Sequence, residues 1–328
     1  MTMSLTAPIS AGSSHAEAGS NHAGQAKLRL RCPRCSANLC APECLKCGFA
    51  LRTCDGIVDA LPPVRGKHYA QFIEDYERIR VAEGRGSGRG DFYLALPFRD
   101  VSGRNNNQWR IRARTYGYLL KRILAPTLPA RALILDLGAG NCWMSYRLAL
   151  AGYRPVAVDL HTNSYDGLGA AKHFQEHLPN LFPRFRAELA HLPFQDEQFD
   201  AAVFNASFHY AEDAAAALRE AKRCVKPGGY LIIGDTPWYS CDESGHEMVQ
   251  ERRRSFMERY GTASASLDSV EFLTDERLQS LEELLAIRWT VYSPNYGLRW
   301  AMRPYLARMR NKREPARFRI YVAQKAPA

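Results

Sequence analysis

From residue 131 onward, short apolar runs alternate with amphipathic stretches. ALILDL (132–137), RPVAVDL (154–160), DAAVFN (200–205) and YLIIGD (230–235) are almost continuously apolar, as strands buried on both faces are. Between them, Ser145, Leu148 and Ala149, and later AAAALREAKRC (214–224), follow helical spacing. The alternation predicts an α/β domain over 131–328, a parallel sheet with helices on both faces. RFRIYVAQK (317–325) is its last strand. Upstream, Phe72, Ile73, Tyr76 and Ile79 predict a helix that GRGSGRG (84–90) ends. Trp109, Tyr116, Leu119, Leu120 and Ile123 predict another over 109–124. Its Arg110, Arg112, Arg114, Lys121 and Arg122 read as a solvated face.

The pattern divides the chain into four zones: 1–26, a small, polar, disordered tail; 27–63, rich in cysteine; 64–130, a helical linker or cap; and 131–328, with a substrate-side insertion at about 240–315. No apolar run is long enough to span a bilayer. The first residues lack the basic and apolar regions of a secretory signal, and nine cysteines without such a signal imply a reducing compartment, the cytoplasm. The net charge of +10 favours anionic partners such as RNA, phosphorylated metabolites or an acidic membrane surface.

In CPRCSANLCAPECLKCGF (32–49), two Cys-x-x-Cys pairs stand close together. Each pair clamps one edge of a metal, and the four thiolates Cys32, Cys35, Cys44 and Cys47 complete a tetrahedral site that selects Zn2+. With all four positions taken by protein, the zinc is structural and has no place for a catalytic water. The stretch from Cys32 through GIVDALPP (56–63) resembles the zinc ribbon of the activator subunit of tRNA and release-factor methyltransferases. A protein partner bound through the ribbon is one implication.

After the first strand, Gly138-Ala139-Gly140 lets backbone approach a ligand. Asp159, at the tip of the next strand, is placed to accept hydrogen bonds from ribose hydroxyls. A dinucleotide fingerprint needs a third glycine, where Trp143 stands, and tolerates poorly the charge of Asp136 before the turn. Both features favour a cationic cofactor without phosphates, S-adenosylmethionine (SAM). Asp136-Leu137-Gly138-Ala139-Gly140 looks like motif I of the class I SAM-dependent methyltransferases. AELAHLPFQDEQFDAAVFNASFHY (187–210) is similar to the following motifs of the ubiquinone and menaquinone C-methyltransferase subgroup. The resemblance covers roughly 131–240 and implies a Rossmann-like seven-stranded sheet whose final strand is antiparallel. It also implies a cofactor site of Asp136, Gly138, Ala139, Gly140, Asp159, Glu188, Leu189 and Asn205. Glu188, where the family usually has Asp, would meet the adenine amino group, and Asn205 would lie near the methionine end.

His209 and Tyr210, just beyond Asn205, are the candidate catalytic residues, His209 as a general base. The expected activity is methyl transfer from SAM to a small or lipid-like metabolite, with anionic ones included. An RNA methyltransferase is the second reading, because Tyr292, Tyr296 and Trp300 are interleaved with arginines and Arg252-Arg253-Arg254 adds basic surface. A non-catalytic SAM-binding adaptor that recruits a partner through its ribbon is the third.

Overall fold

The computed structural model describes residues 28–327; the 1–26 tail lies outside the described residues. Two small strands, β1 (Leu30–Arg31) and β2 (Asn38–Leu39), form an antiparallel hairpin at the metal knuckles. The remaining strands are β3 (Arg52–Cys54), β4 (Ile57–Asp59), β5 (Leu133–Leu137), β6 (Arg154–Asp159), β7 (Arg184–Arg186), β8 (Phe199–Asn205), β9 (Val225–Trp238), β10 (Thr290–Tyr292) and β11 (Arg317–Gln324). They make one sheet in the order β10-β11-β9-β8-β5-β6-β7-β4-β3. β11 runs antiparallel to β9, while β9, β8, β5, β6, β7 and β4 are mutually parallel.

Within this sheet, β7-β6-β5-β8-β9-β11-β10 is the expected seven-stranded Rossmann-like arrangement. The sheet is nevertheless wider than expected. Residues 52–59, inside the zone read as zinc ribbon, leave the knuckles and add two strands to the edge. β4 pairs in parallel with β7, Ile57 opposite Arg184 and Asp59 opposite Arg186. The edge of β7 carries unpaired backbone groups, and β4 satisfies them.

The apolar runs become central strands because both faces are covered. Leu135, Leu137, Val156 and Val158 point into one core layer, which packs the helices Ala214–Cys224 and Asp275–Leu285. Ile134 and Ala157 point into the other, which packs Trp143–Leu150 and Asn106–Tyr118. Trp143 is buried edge-on to Trp109 and Tyr116, at 6.0 and 5.7 Å between ring centroids. Its bulk is thus taken up by the helical layer. The helix predicted over 109–124 changes form partway, Asn106–Tyr118 passing into a widened π-helical turn at Leu119–Leu124. Among the described residues, no helix is long and apolar enough to cross a membrane.

A long helix, α1 (Pro63–Ala82), starts directly after β4. Proline at its first position suits a helix start, because the missing N–H has no partner there anyway. An ion-pair network fixes α1 over the carboxyl ends of the strands. Arg65 Nε donates to both Glu188 oxygens at 3.0 and 2.9 Å, and Tyr69 OH donates to Glu212 at 2.6 Å.

Candidate active site and metal centre

The four sulfurs of Cys32, Cys35, Cys44 and Cys47 lie within 4.8 Å of one another. Cys32 and Cys47 are 3.6 Å apart, and Cys35 and Cys44 3.5 Å. A tetrahedral zinc thiolate site, with bonds of about 2.3 Å, has sulfur–sulfur edges of about 3.8 Å. The donor set therefore fits a structural Zn2+. Gly48, at φ +69°, makes one of the tight turns, its N–H bonded to Cys44 O at 2.8 Å. The ribbon's own apolar core is small, with Cys32, Cys44 and Phe49 buried at its centre.

At the carboxyl ends of β5 and β8 the direction of strand order reverses, and a crevice opens there as such topology dictates. Gly138, after β5, has φ +74°. A side chain there would also put its Cβ 2.3 Å from the Cβ of Ser207, after β8. Ser207 Oγ in turn donates to Leu137 O at 2.5 Å, which ties the two strand ends together. Gly138→Ala is therefore expected to destabilise the fold by roughly 1–3 kcal/mol, read in denaturant melts. Ser207→Gly in the same chain should recover part of the loss, and an unchanged single variant would refute the close approach.

Asp159 closes the turn. Its Oδ2 accepts from Gly140 N and its Oδ1 from His161 N, each at 2.8 Å. Each oxygen keeps a further lone pair for a ligand. Gly138, Gly140, Asp159 and Leu189 all line one cavity of about 300 Å³. α1 supplies its opposite wall with Arg65, Tyr69, Phe72 and Tyr76, a contribution the sequence pattern did not announce.

Four residues expected at the cofactor are not on that lining. Asp136 is buried beneath the turn, accepting from Ser145 Oγ at 2.6 Å, and burial pushes its carboxyl up to about 7. Ala139 is buried in the helical layer. Glu188 faces α1, where Arg65 Nε donates to both its oxygens and Tyr69 OH lies 3.0 Å from Oε2. Asn205 ends β8, and the next residues, Ala206 and Ser207, line the cavity in its place.

A second cavity of about 290 Å³ adjoins the first. Phe72, Tyr76, Ala206 and Tyr210 line both, so the two spaces share one largely aromatic border. Tyr76 and Tyr210 meet edge-to-face at 5.6 Å. Tyr210 thus lies at the junction, and His209 lines the second cavity. Burial, with Arg252, Arg112 and Arg80 nearby, lowers the His209 imidazole to about 3. It stays neutral at ordinary pH and is a poor proton acceptor, unlike the base expected from the sequence. Arg112, read as part of a solvated face, instead lines this cavity. Arg252 also lines it, held by both oxygens of Glu271 at 2.5 and 2.6 Å, so it does not extend a basic surface.

Residues 135–233 match the family described as "Methyltransferase domain". These residues are a methyltransferase domain. The domain holds the glycine turn, Asp159, β8, and Ala206 and Tyr210 at the junction of the two cavities, while Phe72 and Tyr76 come from α1. The chain is 28% identical over 152 residues to a malonyl-[acyl-carrier protein] O-methyltransferase of Erwinia pyrifoliae, covering 46% of this chain and 54% of that one. It is 34% identical over 117 residues to a demethylmenaquinone methyltransferase of Streptomyces griseus, covering 35% and 48%. The chain thus spans about half the length of these curated relatives. The crystal structure of YcgJ from Bacillus subtilis superposes with a TM-score of 0.49 at 13% identity, covering 66% of this chain and all of that one.

Proposed function

We propose that the protein transfers a methyl group from SAM to a small polar acceptor. The observation that carries this is the pair of cavities meeting at one aromatic wall, beside Gly138 and Asp159. The first cavity suits the donor: Asp159 would accept from ribose hydroxyls, and the Gly138–Gly140 backbone would approach the ligand closely. SAM supplies a methyl group on a sulfonium, which displacement releases. The second cavity suits the acceptor. The border formed by Phe72, Tyr76 and Tyr210 would align the reacting atoms and exclude water, and such positioning is a large source of rate gain in a displacement.

The acceptor's size and polarity follow from the second cavity. It is lined by Arg80, Arg85, Arg112 and Arg252. Three are paired, with Asp166, Glu83 and Glu271. Among the described residues no carboxylate lies within 4 Å of Arg112, which leaves it to seat an anionic group of the acceptor. A small metabolite is favoured over RNA because the C-terminal aromatics are used internally. Trp300 stacks on Phe318 at 5.5 Å, and Tyr296 hydrogen-bonds to Thr115 at 2.8 Å.

The test is methyl transfer from labelled SAM into a cell extract, separated into RNA, protein and small-molecule fractions. Label in the small-molecule fraction is expected. Label confined to RNA would replace this acceptor class, and no label with no SAM binding would remove the reading.

A further inference from the structure

Asp235 follows β9's central run, at the floor of the second cavity. Its backbone has φ +51°, a strained position for a residue with a side chain. One carboxylate oxygen is anchored: Thr115 Oγ1 donates to Oδ1 at 2.5 Å, and Tyr296 OH lies 2.8 Å from the same hydroxyl. Because Thr115 has given its proton to Asp235, Tyr296 is the donor in that second bond. The other oxygen, Oδ2, is buried and has no hydrogen-bond partner. A buried carboxylate oxygen with nothing to accept from is costly, and such a group in a cleft needs an explanation.

We propose that Asp235 is the general base of the reaction and that the acceptor is one whose attacking atom carries a proton, a hydroxyl, an N–H or an activated C–H. This rests on the methyl-transfer reading of the two cavities. As the bond from the acceptor atom to the methyl carbon forms, the sulfur–methyl bond breaks and its electron pair stays on sulfur, leaving a neutral thioether. The acceptor's proton passes to Asp235 Oδ2 and is later lost to solvent. Thr115 and Tyr296 are positioning residues, since they hold Oδ1 and so fix the orientation of the carboxylate. Acceptors without a removable proton, such as a tertiary amine or a thioether, fall outside this class.

The surroundings suit the role. Burial pushes the carboxyl up to about 6, countered by the Thr115 hydrogen bond and the Arg112 charge. The charged groups facing the same cavity are Arg112 from its own helix, Arg80, Glu83 and Arg85 on the α1 side, and Arg252 with Glu271. The other titratable side chains lining it are His209, Tyr76 and Tyr210, and His209 stays neutral.

The experiment compares the whole protein with Asp235→Asn and Thr115→Val, using the small-molecule fraction that wild type methylates. Asp235→Asn should lower kcat by about 10²-fold or more and leave the Kd for SAM within about threefold, by calorimetry. In wild type, kcat/KM should fall below pH about 6, as Asp235 takes up its proton; the variant should lack that limb. Difference infrared spectroscopy should show a carboxyl titrating near the same pH that Asp235→Asn removes, with the buried Asp136 carboxyl, pushed up to about 7, kept in both, a readout independent of turnover. Thr115→Val should lower kcat by roughly tenfold with KM unchanged, and Asp235→Glu should restore part of the asparagine loss. Asp235→Asn turning over at more than a third of the wild-type rate, or keeping the acid limb, overturns the assignment. Wild type that transfers no methyl to any fraction overturns the methyl-transfer reading instead.

Discussion

Replacing Asp159 by alanine is expected to weaken SAM binding by roughly 10²-fold. Two separate losses contribute, and the first alone reaches that figure. A carboxylate accepting from ribose hydroxyls makes charge-assisted bonds worth about 1.5–3 kcal/mol each, and ~2.7 kcal/mol is already 10²-fold in affinity. The same carboxylate also organises the turn, because it holds the amides of Gly140 and His161 at 2.8 Å. Alanine releases both amides and loosens the turn that the ligand approaches. Asp159→Asn keeps one acceptor oxygen and should fall between the two. Calorimetric titration with SAM measures this directly, and an affinity unchanged within threefold would place the cofactor elsewhere.

Removing the metal should have the second large effect, and a spatially divided one. Elemental analysis is expected to find one zinc per chain, absent from Cys44→Ser. Structural zinc contributes about 10–16 kcal/mol in isolated finger peptides, and this ribbon's apolar core is too small to replace it. After chelation, amide exchange over residues 32–51 should rise by about 10²-fold or more. The sheet should remain, because β4 is held by its pairing to β7. The effect on SAM should be smaller, less than about tenfold. α1 follows β4 and lines the first cavity, but Arg65 and Tyr69 anchor it independently to Glu188 and Glu212. Exchange rates over 32–51 that do not change on chelation would show that the knuckles fold without metal.

How far the sequence revealed this molecule depended on whether the signal was local. The apolar runs at 132–137, 200–205 and 230–235 could only be central strands, and the Gly138-Ala139-Gly140 turn placed the crevice at their ends. The four cysteines were legible for the same reason, since two short spacings carry the geometry. The two edge strands were not, because RTC and IVD are short, half polar and lie beside the knuckles. Only the pairing of β4 with distant β7, and of β3 with β4, gives them a place. Glu188 shows the limit from another side. Its position in the motif suggested adenine, yet Arg65, more than a hundred residues earlier, donates to both its oxygens. Asp235 was invisible as chemistry, since nothing in GDTPW shows that one carboxylate oxygen will be left without a partner. Arg112 was misread because a helix's polar residues look solvated until another element closes over them.

The strand that β4 contributes also has a kinetic meaning. An edge completed by a separate subunit is occupied only as far as that subunit's concentration allows, and dilution opens it. Here the completing strand belongs to the same chain, so it meets its site at the millimolar effective concentrations typical of short tethers. The sheet edge therefore stays closed at any dilution, in a fixed ratio of one strand to one crevice, with no partner that must first be found.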